Sequence, residues 1–187
     1  MFPAPFPAFL DANVLYPFTL RDTLLRCAES DLYQPFWSAE VLDEATRNLV
    51  KNGVMAKTQA ERLSAHMKLA FPEAMVDGHE DLVGAMRNHP KDAHVAAAAV
   101  KAGARVIVTF NLSDFENLPD GYEAQSPDEF LCHLHDLDPD MMLDIIRQQA
   151  ADLTNPSRTA VEIAQALAKQ LPNFGATLLK ALQTAEA

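Results

Sequence analysis

The chain has 187 residues, nearly half of them apolar, with no excess of Gly or Pro; that is enough to bury a core and too apolar for a disordered segment. Its 15 basic and 26 acidic side chains give a net charge of −11, which argues against broad nonspecific binding to nucleic acid, because that needs a basic surface. No stretch reaches the ~18 apolar residues of a membrane span and the start MFPAPFPAFLD has no basic leader segment, so a cytoplasmic protein with no membrane attachment is expected.

In chain order, residues 5–11 read as a short buried strand ending at Asp11, and residues 19–30 as a helix with Leu20, Leu24, Leu25 and Ala28 on one face. A second short strand covers residues 34–37. Ser38 is a natural N-cap for a helix over 39–52, which stops at Gly53. Thr58 and Glu61 have the spacing of a capping box opening the next helix. A third strand is expected at 73–76 and a short helix at 80–87. An alanine-rich helix runs from Lys91 to Gly103, followed by the apolar strand RVIVT and a weak strand at 122–125. Beyond Ser126 the pattern is helical only, with a second capping box at Thr159 and Glu162. Alternating strands and helices predict an α/β fold, a three-layer α/β/α domain with a central parallel sheet over residues 1–125. An all-helical C-terminal module follows over 126–187. Cys27 and Cys132 lie in apolar helical patterns without metal-type spacing, which predicts free thiols and fits a reducing cytoplasm.

Four acids fall where a strand ends or a helix begins: Asp11, Glu44, Asp92 and Asp114, separated by 33, 48 and 22 residues. In an open parallel sheet, ligands bind beyond the carboxyl ends of the strands, so the fold can gather what the sequence scatters. Asp92 falls in the first turn of its helix, where the dipole is expected to keep it ionised. Converging carboxylates repel and must be neutralised by protons or by a metal. An all-oxygen set selects Mg²⁺ or Mn²⁺ over zinc, and such ions support phosphodiester hydrolysis.

The segments FLDANVLYP, SAEVLDEATRNL, PKDAHVAAAAVKAGARVIVTFNLSDF and SPDEFL resemble the PIN-domain ribonucleases, and among them the VapC-like toxins of bacterial toxin–antitoxin modules. The resemblance covers about residues 5–125, and chains of this kind with a helical C-terminal extension occur. It implies a PIN-like fold and a Mg²⁺-dependent endoribonuclease acting on RNA. A cognate antitoxin would hold it inactive, and homo-oligomerisation is left open. It carries over Asp11, Glu44 and Asp92 as the first three acidic ligands. Many relatives place an Asp two residues after the strand-ending Thr, where this chain has Asn111, so Asp114 is taken as the fourth carboxylate with Asn111 and Thr109 in support. Asn13 and Ser38 are expected to orient the ligands.

Arg21, Lys91 and His94 are weaker candidates for contact with substrate phosphate, since scattered cations usually form a solvated surface. His133 and His135 are two apart and point to different sides of a helix, which makes a shared metal improbable and solvent exposure the default. Phe115 and Trp37 adjoin apolar strand ends and read as core. Two other functions compete: a noncatalytic PIN-like module binding RNA or protein, kept open by Asn111, and a phosphatase using Asp11 as nucleophile. The second lacks the expected acid two residues on, where the chain has Asn13.

Overall fold

Residues 6–185 are described by the computed structural model. Five strands form one sheet: β1 (Pro7–Leu10), β2 (Gln34–Ser38), β3 (Met75–Val76), β4 (Val106–Val108) and β5 (Glu123–Gln125). Their order is β3-β2-β1-β4-β5 and every pairing is parallel, as the alternating pattern predicts. Parallel neighbours need crossover connections, and the helices supply them. These are α1 (Ala12–Leu15), α2 (Phe18–Glu29), α3 (Ala39–Lys51), α4 (Lys57–Ala70), α5 (Glu80–Val83) and α6 (Ala93–Ala102), followed by α7 (Pro127–Leu137), α8 (Pro139–Asp152), α9 (Ala160–Ala168) and α10 (Pro172–Ala185). The first strand is shorter than expected, and Pro5 lies outside the described residues.

By packing, the chain divides into two units: one ends at Pro17 and resumes over Tyr33–Ser126, and the other joins Phe18–Leu32 to the residues from Pro127 onward. A boundary at 125/126 follows the chain in linear order, whereas α2 goes with the C-terminal helices. The reason lies in its partners. Thr23 donates to Gln149 Oε1 at 2.9 Å, Arg26 pairs with Asp152 at 2.8 Å, and the buried Cys27 sulfur lies 4.0 Å from that of Met142.

In the first unit, β1 is buried on both faces through Ala8, Phe9 and Leu10, the mark of a central strand in a parallel sheet. Ala96, Ala97, Ala98 and Ala99 of α6 are fully buried, and these small side chains let the helix lie close on β1, β2 and β4. Trp37 and Phe115 are core residues, as expected. Gly103 ends α6 in the left-handed conformation at φ 67°, which a side chain would resist. Ser38 caps α3 by accepting the Val41 N–H at 3.3 Å, an interaction worth ~1 kcal/mol. One cap differs from expectation. Helix α4 starts at Lys57 with Ala56 as N-cap, and the Gln59 side chain accepts the Ala56 N–H at 2.9 Å. Starting two residues early puts Thr58 inside the helix and removes the Thr58–Glu61 box.

In the second unit, Phe130, Leu131, Ile146, Ile163, Phe174 and Leu178 are buried. The Thr159 box forms: the Thr159 N–H donates to Glu162 Oε2 at 2.7 Å and the Glu162 N–H to Thr159 Oγ1 at 3.2 Å. Gly175 is required where α10 passes α9, because a Cβ there would collide with Ala168. Both cysteines are free. His133 is exposed, but the His135 ring nitrogens are buried, because α7 turns that side chain inward beside the apolar stripe of Leu131 and Leu134. Among the described residues, no helix is long and apolar enough to cross a membrane.

Candidate active site

From β1 the chain builds outward to β2 and β3, then returns to the other side of β1 to add β4 and β5. The reversal between β1 and β4 leaves a crevice at their carboxyl ends, the place where open parallel sheets bind ligands. Register does the rest. Leu10 pairs with Val108, so the next residues, Asp11 and Thr109, emerge side by side into that crevice. The Asp11 N–H donates to the Val108 carbonyl at 3.1 Å.

Asp11 is 5% exposed, and both of its carboxylate oxygens are hydrogen-bonded. Oδ1 accepts the Ala12 N–H at 2.7 Å; Oδ2 accepts from Asn13 Nδ2 at 2.8 Å and from Thr109 Oγ1 at 2.7 Å. Asn13 also donates to Thr109 Oγ1 at 2.9 Å and accepts the Phe110 N–H at 3.1 Å, while the Asn111 N–H donates to Thr109 Oγ1 at 3.0 Å. These bonds fix the carboxylate in one orientation. Its pKa is nevertheless pushed up to about 6, first by burial and then by the charges of Asp92 and Glu44, against the pull of the Thr109 and Ala12 hydrogen bonds.

Glu44 is half-buried on α3, close enough for its charge to act on Asp11. Asp92 ends the 3₁₀ turn Pro90–Asp92 and leads into α6, with no hydrogen bond from its side chain to the helix. Its pKa is raised, first by burial and next by Asp114, while His89, His94 and Lys91 act the other way. Burial and the Asp114 charge thus oppose the ionised form that the position of Asp92 at a helix start favours. Asp114, in the 3₁₀ turn Leu112–Phe115, brings a carboxylate oxygen within 4.8 Å of ligand atoms of both Asp92 and His89. The His89 N–H holds the Asp114 carbonyl at 3.0 Å. Asn111 is exposed, and its side chain makes no hydrogen bond among the described residues.

The four scattered acids thus form one electrostatic group, and no Lys or Arg makes an ion pair with any of them among the described residues. Ser38 is fully buried, with its hydroxyl engaged in capping α3. Lys91 is exposed. His94 Nδ1 lies 3.2 Å from Glu40 Oε2, which also stands 3.6 Å from the buried His79. Arg21 belongs to the second unit, where it is buried with its guanidinium 5.7 Å from the centre of the Phe18 ring. Sequence reasoning missed Glu40, Tyr16, Asn48 and Asn52 near the acids. The signal for three of them was present: Glu40, Glu44, Asn48 and Asn52 recur every four residues, one stripe along a helix.

A PIN domain model matches residues 7–113, more than half of the chain. The chain belongs to the PIN domain family. Beyond that PIN domain, a model of the VapC50 C-terminal domain matches residues 127–180. The protein named "Putative ribonuclease VapC50" from Mycobacterium tuberculosis (strain ATCC 25618 / H37Rv) is 39% identical over 106 residues, which cover 55% of this chain and 63% of that relative. The match thus spans less than two thirds of the relative's length. No solved structure matches the chain. The PIN domain places its acids at the switch point of its sheet, and the all-helical segment after residue 126 is the part that the C-terminal model matches.

Proposed function

We propose that the protein is a Mg²⁺- or Mn²⁺-dependent endoribonuclease that hydrolyses RNA phosphodiester bonds, the toxin of a type II toxin–antitoxin pair. The observation that carries this reading is the electrostatic coupling of Asp11, Glu44, Asp92 and Asp114, with no Lys or Arg ion-paired to any of them among the described residues. The donor set fits a hard divalent cation: the four acids offer only oxygen, and the Asp11 and Asp92 carboxyls are raised first by burial and then by neighbouring carboxylates, whose repulsion a bound ion would relieve. Such an ion, when bound, would supply charge to activate a water and to stabilise the leaving oxygen.

The chain's own residues do the positioning. Asp11, Glu44, Asp92 and Asp114 hold the cation. Thr109 and Asn13 fix the Asp11 carboxylate, and Ser38 sets where α3 begins and so where Glu44 stands. Lys91 and His94 flank Asp92 and would meet substrate phosphate; Arg21, buried in the other unit, has the weakest claim. With both oxygens already accepting hydrogen bonds, Asp11 is better suited to hold an ion than to attack phosphorus, which disfavours the phosphatase reading. The relative's name as a ribonuclease and the VapC-like resemblance support RNA as substrate and a cognate antitoxin as partner. Free thiols at Cys27 and Cys132 suit a reducing cytoplasm.

The test is cleavage of single-stranded RNA by the purified protein. Chelation with EDTA should abolish cleavage and Mg²⁺ or Mn²⁺ should restore it. Asp11→Asn should remove cleavage, calorimetric Mn²⁺ binding and growth inhibition on expression, while the thermal melt stays cooperative. An Asp11→Asn protein that cuts RNA as fast as wild type would sink the assignment.

A further inference from the structure

Beside the acids, α1 and α3 border an open pocket of about 260 Å³ lined by Ala12, Asn13, Tyr16, Glu44, Asn48 and Asn52. Glu44 belongs at once to this pocket and to the acidic group, so the two adjoin. No basic side chain lines it. Asn13 is committed to Asp11, Thr109 and Phe110. Asn52 Nδ2 donates to Tyr16 Oη at 3.1 Å, which leaves its Oδ1 to accept. The Asn48 amide makes no hydrogen bond among the described residues.

This lining excludes some ligands and selects others. A phosphate would meet the Glu44 carboxylate and no cation. An aliphatic group would offer nothing to the half-buried Asn48 amide or to the exposed Asn52 Oδ1, and would displace the water that they can otherwise bind. A flat, neutral ring with a donor and an acceptor side by side satisfies the lining: Asn48 can pair with both through Oδ1 and Nδ2, and Tyr16 offers an aromatic surface. Single-stranded RNA is read by this combination of amide hydrogen bonds to base edges and contact with aromatic side chains.

We propose that the α1–α3 pocket is a nucleobase subsite that takes the base of the ribonucleotide next to the bond being cut, with Asn48 and Asn52 as its specificity-determining residues. It rests on the ribonuclease reading for the identity of the polymer, but not for the chemistry of the pocket.

Two measurements on the full chain test it. The first is NMR titration with adenosine, cytidine, guanosine and uridine, which are neutral and cannot be cleaved. At least one should shift the side-chain amide signals of Asn48 and Asn52, and the Asn52 response should vanish in Asn48→Ala. That variant should fold, since alanine is a better helix former than asparagine. The second is sequencing of RNA ends after digestion of a random single-stranded pool. Wild type should prefer one base beside the cut by ~10-fold, the size of a paired amide contact, and Asn48→Ala should flatten that preference. If no nucleoside moves these amides, or if RNA is cut with the same end profile by wild type and Asn48→Ala, the subsite is overturned while the ribonuclease reading stands. If the amides respond but wild type cuts no RNA, the subsite is supported and the ribonuclease reading falls.

Discussion

Asp11 and Asp92 carry the same side chain, yet the PIN domain holds them in different ways. Asp11 ends the central strand, is buried, and receives hydrogen bonds of 2.7, 2.8 and 2.7 Å from Ala12, Asn13 and Thr109. Asp92 sits between a 3₁₀ turn and α6, is half-buried, and has His89 Nδ1 at 3.7 Å. Its other near neighbour, Asp114, repels it. One corner is therefore oriented by the fold itself, whereas the Asp92 side chain makes no hydrogen bond to its helix. Preorganised groups lose little on binding, so damage to the scaffold should be felt most at the Asp11 corner.

That contrast can be broken by removing one hydroxyl. Thr109→Val keeps the branched shape at the end of β4 but deletes the donor to Asp11 Oδ2 and the acceptor used by Asn13 and Asn111. The Asp11 carboxyl should rise further, and Mn²⁺ affinity measured by calorimetry at pH 7 should fall by ~10–100-fold, as for other groups that orient metal ligands. His89→Ala, beside Asp92, should cost far less. Equal losses at the two corners would mean that Asp11 is no more preorganised than Asp92.

Acidity sharpens the comparison on a smaller scale. Burial raises the Asp11 pKa from 3.8 to about 6, so in the metal-free fold it takes up its proton about two pH units earlier on acidification than an unfolded chain does. Its contribution to stability is then fully present below pH 3.8 and is lost as pH rises through 6. Asp92 acts in the same direction. The metal-free protein should therefore melt at a higher temperature at pH 5 than at pH 7, and Asp11→Asn should flatten the difference. Asp152 and Glu162 are shifted the opposite way, held down by hydrogen bonds from Arg26 and from the Thr159 backbone respectively, so their effect belongs to a more acidic range. On the proposed assignment of Asp11 as a ligand, Mn²⁺ affinity should drop up to ~10-fold per pH unit below 6. A flat affinity from pH 7 to 5 would show that Asp11 is already ionised.

Much of this arrangement is legible in the sequence. Strand-ending Asp11 and the Thr109–Asp114 loop are marked by apolar runs that stop abruptly, and parallel pairing then brings their ends together. Ser38 announces α3 because a cap is a local event within one turn. What local signals cannot show is partnership across distance. Nothing near Thr23 or Arg26 marks Gln149 and Asp152 as their partners, so α2 reads as part of the α/β unit. The Asn48 and Asn52 stripe reads as an ordinary solvated helix face, and only α1 beside it makes it one side of an open pocket. Nor does the place of Asp92 at a helix start announce the burial and the Asp114 charge that act on it.

The smallest effect concerns the fourth corner. Asn111 occupies the position where many relatives carry an acid, but its side chain is exposed and its one bond into the site is made by its backbone N–H to Thr109. Alanine keeps that N–H. Asn111→Ala should therefore change Mn²⁺ affinity by no more than about twofold, the range of surface substitutions away from a ligand, whereas Asp114→Asn removes a charge that acts directly on Asp92 and should cost more. If the two variants lose affinity equally, the fourth ligand position lies on the strand-end side of the loop, and the Asp92 corner is anchored by the sheet in the same way as the Asp11 corner.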